Sequence, residues 1–192
     1  IALDIDGTIV GDDLTLGPRI RSAVRAALDR GIRVSLVTGR MASSAQRFAD
    51  ELGLVDPIVA YQGALIRAMP EERGRLGRLL VHRPLPAAVA RETISWSIAH
   101  GLDPHVNHLE TFVIRADDPR TDDYSAFLGA PARRVPDIGR AVTRPVTKVL
   151  AAAEYPRPMR SLENARRTFS GRAAVTVSHP RFLEFVAPGV SK

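Results

Sequence analysis

With 192 residues, 45% of them hydrophobic, the chain is long enough for one large domain or two small ones and apolar enough to bury a core, which excludes a disordered or fibrous protein. It has no cysteine, so disulfides and thiolate metal sites are excluded and a reducing compartment is expected. The formal charge of +6 is carried almost wholly by arginine, since only Lys148 and Lys192 are lysines; acids are interspersed among those arginines and aromatics reach only 5%, so no nucleic-acid partner is expected.

The first half alternates strand and helix. Ile1 to Ile5 is an apolar run that predicts a strand. After a turn at Gly11-Asp12-Asp13, a helix is signalled by Pro18 at its start, by Ile20, Val24, Ala27 and Leu28 on one face, and by Gly31 as its stop. A second buried strand is predicted over Ile32 to Val37, a second helix from about Ser43 to Leu52 with Gly53 ending it, and a third strand over Ile58 to Tyr61, from which Gln62-Gly63 turns into Ala64 to Arg67. This order argues for a Rossmann-like parallel sheet covered by helices.

The stretch from about Met69 to Pro86, rich in Pro, Gly and Arg, predicts a hairpin and a linker, after which the pattern changes. A helix is expected from Pro86 to His100, strands near Val106 and at Phe112 to Ile114, a short helix near Tyr124 to Leu128, and a strand at Val146 to Ala151. An amphipathic helix carrying Met159, Leu162, Ala165 and Phe169 follows, and Val175 to Ser178 with Phe182 to Val186 predicts a closing hairpin. The expected architecture is α/β: a core in residues 1–83, an α/β cap inserted over residues 84–186, and a return to the core in residues 187–192. No apolar run is long enough to span a bilayer and no signal-peptide pattern precedes the first strand, so no membrane partner and a cytoplasmic setting are expected.

Residues i and i+2 of a strand share a face, so Asp4 and Asp6 are expected to project together from the carboxyl end of the first strand, with Gly7 allowing a sharp exit. Two adjacent carboxylates repel, and a divalent cation is the simplest compensation. Thr38-Gly39-Arg40 is predicted at the carboxyl end of the second strand, on the edge where ligands bind in parallel α/β sheets. There Thr38 and the Gly39 amide suit a phosphate, while Thr38 as a cap of the next helix stands beside that reading. Arg40 is open between touching substrate and pairing with an acid. His105, Asn107, His108 and Glu110 suggest a metal site or substrate contact, but their spacing reads more simply as an exposed strand and turn. Lys148 reads as a strand lysine, exposed or reaching toward the core. Asp12-Asp13 and Asp117-Asp118 read as turn formers.

Asp4-Ile5-Asp6-Gly7-Thr8 resembles the first motif of the haloacid dehalogenase superfamily, and Val37-Thr38-Gly39-Arg40 its second. Tyr61-Gln62-Gly63-Ala64 is similar to the Asn-Gly-Ala turn of the Cof-type branch of cap-bearing sugar-phosphate phosphatases, with Gln62 in place of the usual Asn. Leu183-Glu184-Phe185 through Pro188-Gly189-Val190-Ser191-Lys192 looks like the segment carrying that branch's motif lysine. The resemblance implies hydrolysis of small phosphorylated metabolites, sugar phosphates first. In it Asp4 is the nucleophile, Asp6 the acid and base, Thr38, Gly39 and Lys192 bind the phosphoryl group, and Mg2+ is held by Asp4 and Asp6. The family's fourth motif, which supplies further metal-binding carboxylates, has no counterpart up to Lys192, so the chain is expected to be part of a longer enzyme. Two rivals remain: a receiver-like domain that accepts a phosphoryl group on aspartate, and a non-catalytic binder of phosphorylated ligands or nucleic acid.

Overall fold

The computed structural model describes residues 1–192 apart from Asp12, Arg73, residues 119–124 and residues 126–130; the helix expected near Tyr124 to Leu128 and Asp12 of the first turn therefore lie outside the described residues. The chain divides into two compact units, residues 1–82 together with Lys192, and residues 83–191. Among the described residues no helix is long and apolar enough to cross a membrane.

In the first unit, β1 (Ala2–Leu3) pairs in parallel with β2 (Ser35–Leu36), and a single parallel bridge from Val37 to Val59 joins β2 to β3 (Ile58–Ala60). Helix α1 (Pro18–Leu28) links β1 to β2, and α2 (Ala42–Leu52) links β2 to β3. Proline suits the first turn of α1 because its missing N–H would have no partner there. Helix α2 buries Ala45, Phe48, Ala49 and Leu52 and ends at Gly53, whose φ of +68 suits a residue without Cβ. The parallel run then gives way to an antiparallel ribbon of β3, β4 (Leu65–Arg67) and β5 (Leu79–His82). The regular strands are shorter than their apolar runs, because Asp4 and Thr38 already belong to the loops that follow β1 and β2.

In the second unit a six-stranded sheet runs in the order β10-β11-β9-β6-β7-β8. Its strands are β6 (Asp103–His108), β7 (Thr111–Arg115), β8 (Ala132–Val135), β9 (Lys148–Ala152), β10 (Ala174–His179) and β11 (Phe182–Val186). Neighbours are antiparallel except β7 and β8. One face carries Val106, Val113, Val149, Ala151, Leu183 and Phe185 into a core shared with α3 (Ala87–Ala99), α4 (Ile138–Ala141) and α5 (Arg157–Thr168). There Phe185 meets Phe169 and Trp96 edge-on at 5.4 and 5.8 Å between ring centroids. The other face carries a smaller apolar cluster of Phe112, Ile114, Leu150, Ala152 and Phe182. Strand β8 and helix α4 have no counterpart among the expected elements. Arg133 and Arg134 interrupt any alternation in β8, which an edge strand tolerates because those side chains stay exposed.

The second face also holds charge, and here two expectations need correction and the open alternative at Lys148 is resolved. Lys148 is not an exposed strand lysine: β9 lies between β6 and β11, its side chain is buried, and its Nζ donates to Glu184 Oε1 at 2.8 Å, which also accepts from Ser178 Oγ at 2.8 Å. His105 and Asn107 lie on a strand with a turn after it, but both are buried rather than exposed, because β6 is likewise an interior strand. Asp118 is more than a turn former, being buried with its Oδ2 3.5 Å from His105 Nε2. Burial pushes the His105 imidazole below its ordinary range, opposed by the nearby Asp118 carboxylate and reinforced by the positive charge of Lys148.

Two outcomes follow from these buried charges. Glu184→Ala removes the carboxylate that accepts from the buried Lys148 ammonium and is expected to cost about 3–5 kcal/mol in urea unfolding followed by Trp96, the single tryptophan. Replacing both partners with methionine is expected to recover most of that loss, and a double variant no better than Glu184→Ala would contradict the pairing. His105 takes up its proton at lower pH in the folded chain than in the unfolded one. Below about pH 6.5 the unfolded chain therefore binds more protons, and stability is expected to fall between pH 7 and pH 5. His105→Gln should flatten that slope; an unchanged slope would show that His105 titrates normally.

Candidate active site

Leu3 is the last residue of β1, and the chain then coils tightly. The Ile5 carbonyl, fully buried, accepts the amides of Thr8, Ile9 and Val10 at 3.2, 3.0 and 3.1 Å, and Gly7 turns with φ +70. The Val37 amide donates to the Leu3 carbonyl at 2.8 Å, which sets the loop after β1 beside the loop after β2. Asp4 and Asp6 thus leave from the carboxyl end of a strand in a parallel pair. They do so from the loop rather than from the strand itself.

Each carboxylate meets a cation. Asp4 Oδ1 accepts the Ile5 amide at 2.7 Å, and Asp4 Oδ2 pairs with the Lys192 ammonium. Asp6 is gripped by Arg40, with Nε 2.9 Å from Oδ2 and Nη2 2.5 Å from Oδ1. The Arg40 side chain is 7% exposed against 48% for Asp6, so a buried guanidinium holds an accessible carboxylate. Its Cζ lies 5.5 Å from the centroid of the Phe48 ring, within cation–π range, and Nη1 lies 3.4 Å from Ser44 Oγ. Of the two roles open to Arg40, the structure displays the acid pair.

Thr38 is fully buried. Its amide donates to the Val59 carbonyl at 2.9 Å, and its Oγ1 accepts the Arg40 amide at 3.1 Å. It does not cap α2, whose cap position is Met41. Two backbone hydrogen bonds, Tyr61 N–H to the Arg40 carbonyl and Gln62 N–H to the Thr38 carbonyl, each 3.0 Å, tie the turn after β3 to this loop. Tyr61 and Gln62 both adopt positive φ there, 52 and 58. The Gln62 side chain lies over Gly39 so closely that a Cβ on that glycine would sit 2.6 Å from Gln62 Nε2. Glycine at position 39 therefore leaves room for the end of the Gln62 side chain, which a Cβ would displace. A resident Gln62 in contact with Gly39 is what the sequence leaves undecided at this position.

The donors suit magnesium in kind, since that ion takes carboxylate and carbonyl oxygens together with water and phosphate oxygens rather than a closed protein cage. Asp4 retains acceptor capacity beyond its contacts to Ile5 and Lys192, because a carboxylate offers about four lone-pair sites. Among the described residues no group of three or more His, Cys, Asp or Glu is clustered as a metal cage, so His105, His108 and Glu110 form none. Neither Asp4 nor Asp6 lines the cleft of about 380 Å³ at Ala68–Arg78 or the cleft of about 450 Å³ formed by Gly101, Asp103, residues 153–157 and Arg160. Sequence reasoning did not find Glu184 as the partner of Lys148. The signal was present, because a charged residue inside the apolar run Phe182–Val186 has to be paired.

The chain is 29% identical over 102 residues to 5-amino-6-(5-phospho-D-ribitylamino)uracil phosphatase YitU of Bacillus subtilis, a match covering 53% of this chain and 36% of that protein. It is 25% identical over 193 residues to the HMP-PP phosphatase of Cronobacter sakazakii, covering 100% of this chain and 68% of the relative. The chain therefore spans only part of the length of these relatives. A haloacid dehalogenase-like hydrolase from Bacteroides thetaiotaomicron shares the fold with a TM-score of 0.80 at 23% identity, over 98% of this chain and 71% of that one. The profile of the haloacid dehalogenase-like hydrolases matches residues 1–192, and the chain belongs to that family.

Proposed function

We propose that this chain carries the nucleophile and the acid–base residue of a magnesium-dependent phosphatase, which hydrolyses small phosphate monoesters through an aspartyl phosphate on Asp4. The observation that carries the proposal is the pairing of Asp4 with Lys192 and of Asp6 with Arg40 at the carboxyl end of β1. Family membership and relatives named as phosphatases support it.

In this mechanism one Asp4 oxygen attacks phosphorus while Asp6 gives a proton to the departing alkoxide oxygen, so the alcohol leaves and an acyl phosphate remains. Lys192 offsets the charge of Asp4 and of the incoming phosphoryl group, and the Ile5 amide fixes the carboxylate plane. Thr38 and Gly39 are assigned to the phosphoryl oxygens. A water then attacks phosphorus, gives its proton to Asp6, and releases inorganic phosphate and free Asp4. Held by the Asp4 side chain and the Asp6 backbone carbonyl, magnesium would supply neutralisation of the charge that otherwise keeps an anionic nucleophile from an anionic substrate.

The second unit is assigned as a cap that selects the substrate, with sugar phosphates and other phosphorylated metabolites as the class. A receiver-like acceptor fits less well, because receivers are single domains and this chain has a second unit of residues 83–191. The absence of cysteine fits a cytoplasmic setting.

In the full-length protein, Asp4→Asn is expected to lower kcat on phosphate monoesters by at least about a thousandfold with the fold retained by circular dichroism. Chelation should remove wild-type activity and magnesium restore it. Normal turnover by Asp4→Asn would overturn the assignment of the nucleophile.

A further inference from the structure

Arg40 is anchored at both its ends. Its amide donates to Thr38 Oγ1 at 3.1 Å and its carbonyl accepts the Tyr61 amide at 3.0 Å, while its side chain is buried against Phe48 and Ser44. From that fixed base the guanidinium reaches both oxygens of Asp6, Nε at 2.9 Å from Oδ2 and Nη2 at 2.5 Å from Oδ1. An ordinary surface ion pair joins two mobile side chains and does little to hold either. Here only the acid is accessible, so the pair fixes Asp6 to the loop after β2.

We propose that Arg40 is a positioning residue for the second half of the reaction, holding Asp6 as the acceptor of the proton from the hydrolytic water. The proposal rests on the aspartyl-phosphate mechanism above. A guanidinium has only donors. A carboxyl group gripped through both oxygens therefore presents acceptors to Arg40 and keeps its remaining lone pairs for one further donor, the water. When the water oxygen bonds to phosphorus, its proton passes to Asp6, the bond between phosphorus and Asp4 breaks, and that electron pair returns to Asp4. A lysine at position 40 would keep the charge but lose the planar two-point grip.

The test is rapid-mixing kinetics of the full-length protein with magnesium, comparing wild type, Arg40→Met and Arg40→Lys on p-nitrophenyl phosphate and on an alkyl phosphate. Both variants are expected to release p-nitrophenol in a burst matching the enzyme concentration. Their steady-state kcat should then fall about 100-fold, in the range general-base catalysis contributes, and be the same for both substrates, because both pass through one slow intermediate. A loss confined to KM, or one that grows with the basicity of the leaving group, would overturn the assignment in favour of substrate contact or of the acid step. Folding is checked by thermal unfolding, and if Arg40→Met fails to fold, Arg40→Lys carries the test. A wild-type protein that forms no phosphoenzyme overturns the underlying mechanism, whereas a normal wild-type phosphoenzyme with no burst in the variants overturns the role of Arg40 alone.

Discussion

Asp4 and Asp6 stand two residues apart in a loop that starts where β1 ends, and two carboxylates so close are tolerated when each is matched by positive charge. Lys192 meets the first and Arg40 the second. Much of the first unit serves this arrangement. The parallel pairing of β1 with β2 sets the two loops side by side, and Phe48 from α2 packs under the guanidinium. The turn at Tyr61-Gln62 is stitched to the Thr38–Arg40 loop by backbone hydrogen bonds. The two ion pairs differ in kind. Lys192 and Asp4 are both about one-third exposed, so that contact is open to exchange with a ligand, while Arg40 is buried and stays in place.

The same rule governs the second unit under harsher conditions. Lys148 and Glu184 are both nearly inaccessible, and Ser178 adds a second donor to the same Glu184 oxygen. Removing two charges from water costs more than a single contact returns, so such a pair tends to persist where both partners are present and to fail when one is lost. At His105 the same burial lowers the imidazole's affinity for a proton, with Asp118 beside it pulling the other way. Polar groups at this density on one sheet face explain why the apolar cluster there is small beside the core on the opposite face.

The fold was legible where period and punctuation agree. Pro18 and the face of Val24 marked α1, Gly53 closed α2, and the alternation of strand and helix through Ala60 announced the parallel core. Strand β8 was not legible, because an edge strand with Arg133 and Arg134 outward carries no alternation. In the candidate site the motif residues were visible from their order, but their partners were not. Nothing in the spacing of Asp6 and Arg40 says that a side chain 34 positions away grips both oxygens, since that contact depends on the β1-α1-β2 crossover placing the loops together. His105 was misjudged as exposed and Lys148 was left open between exposed and core-facing because exposure depends on sheet order, and β9 and β6 proved interior only once β11 and β7 flanked them. The neighbouring apolar residues were the available clue.

The central claim is that Asp4 forms a bond to phosphorus while Asp6 moves protons. The most direct measurement is mass spectrometry of peptides from the full-length protein, quenched in acid during turnover of a phosphate monoester with magnesium. The account predicts one added phosphoryl group on Asp4, labile to hydroxylamine and absent from Asp4→Asn. A phosphoryl group on Asp6, or turnover with no phosphorylated peptide from a variant arrested after the first step, would contradict it.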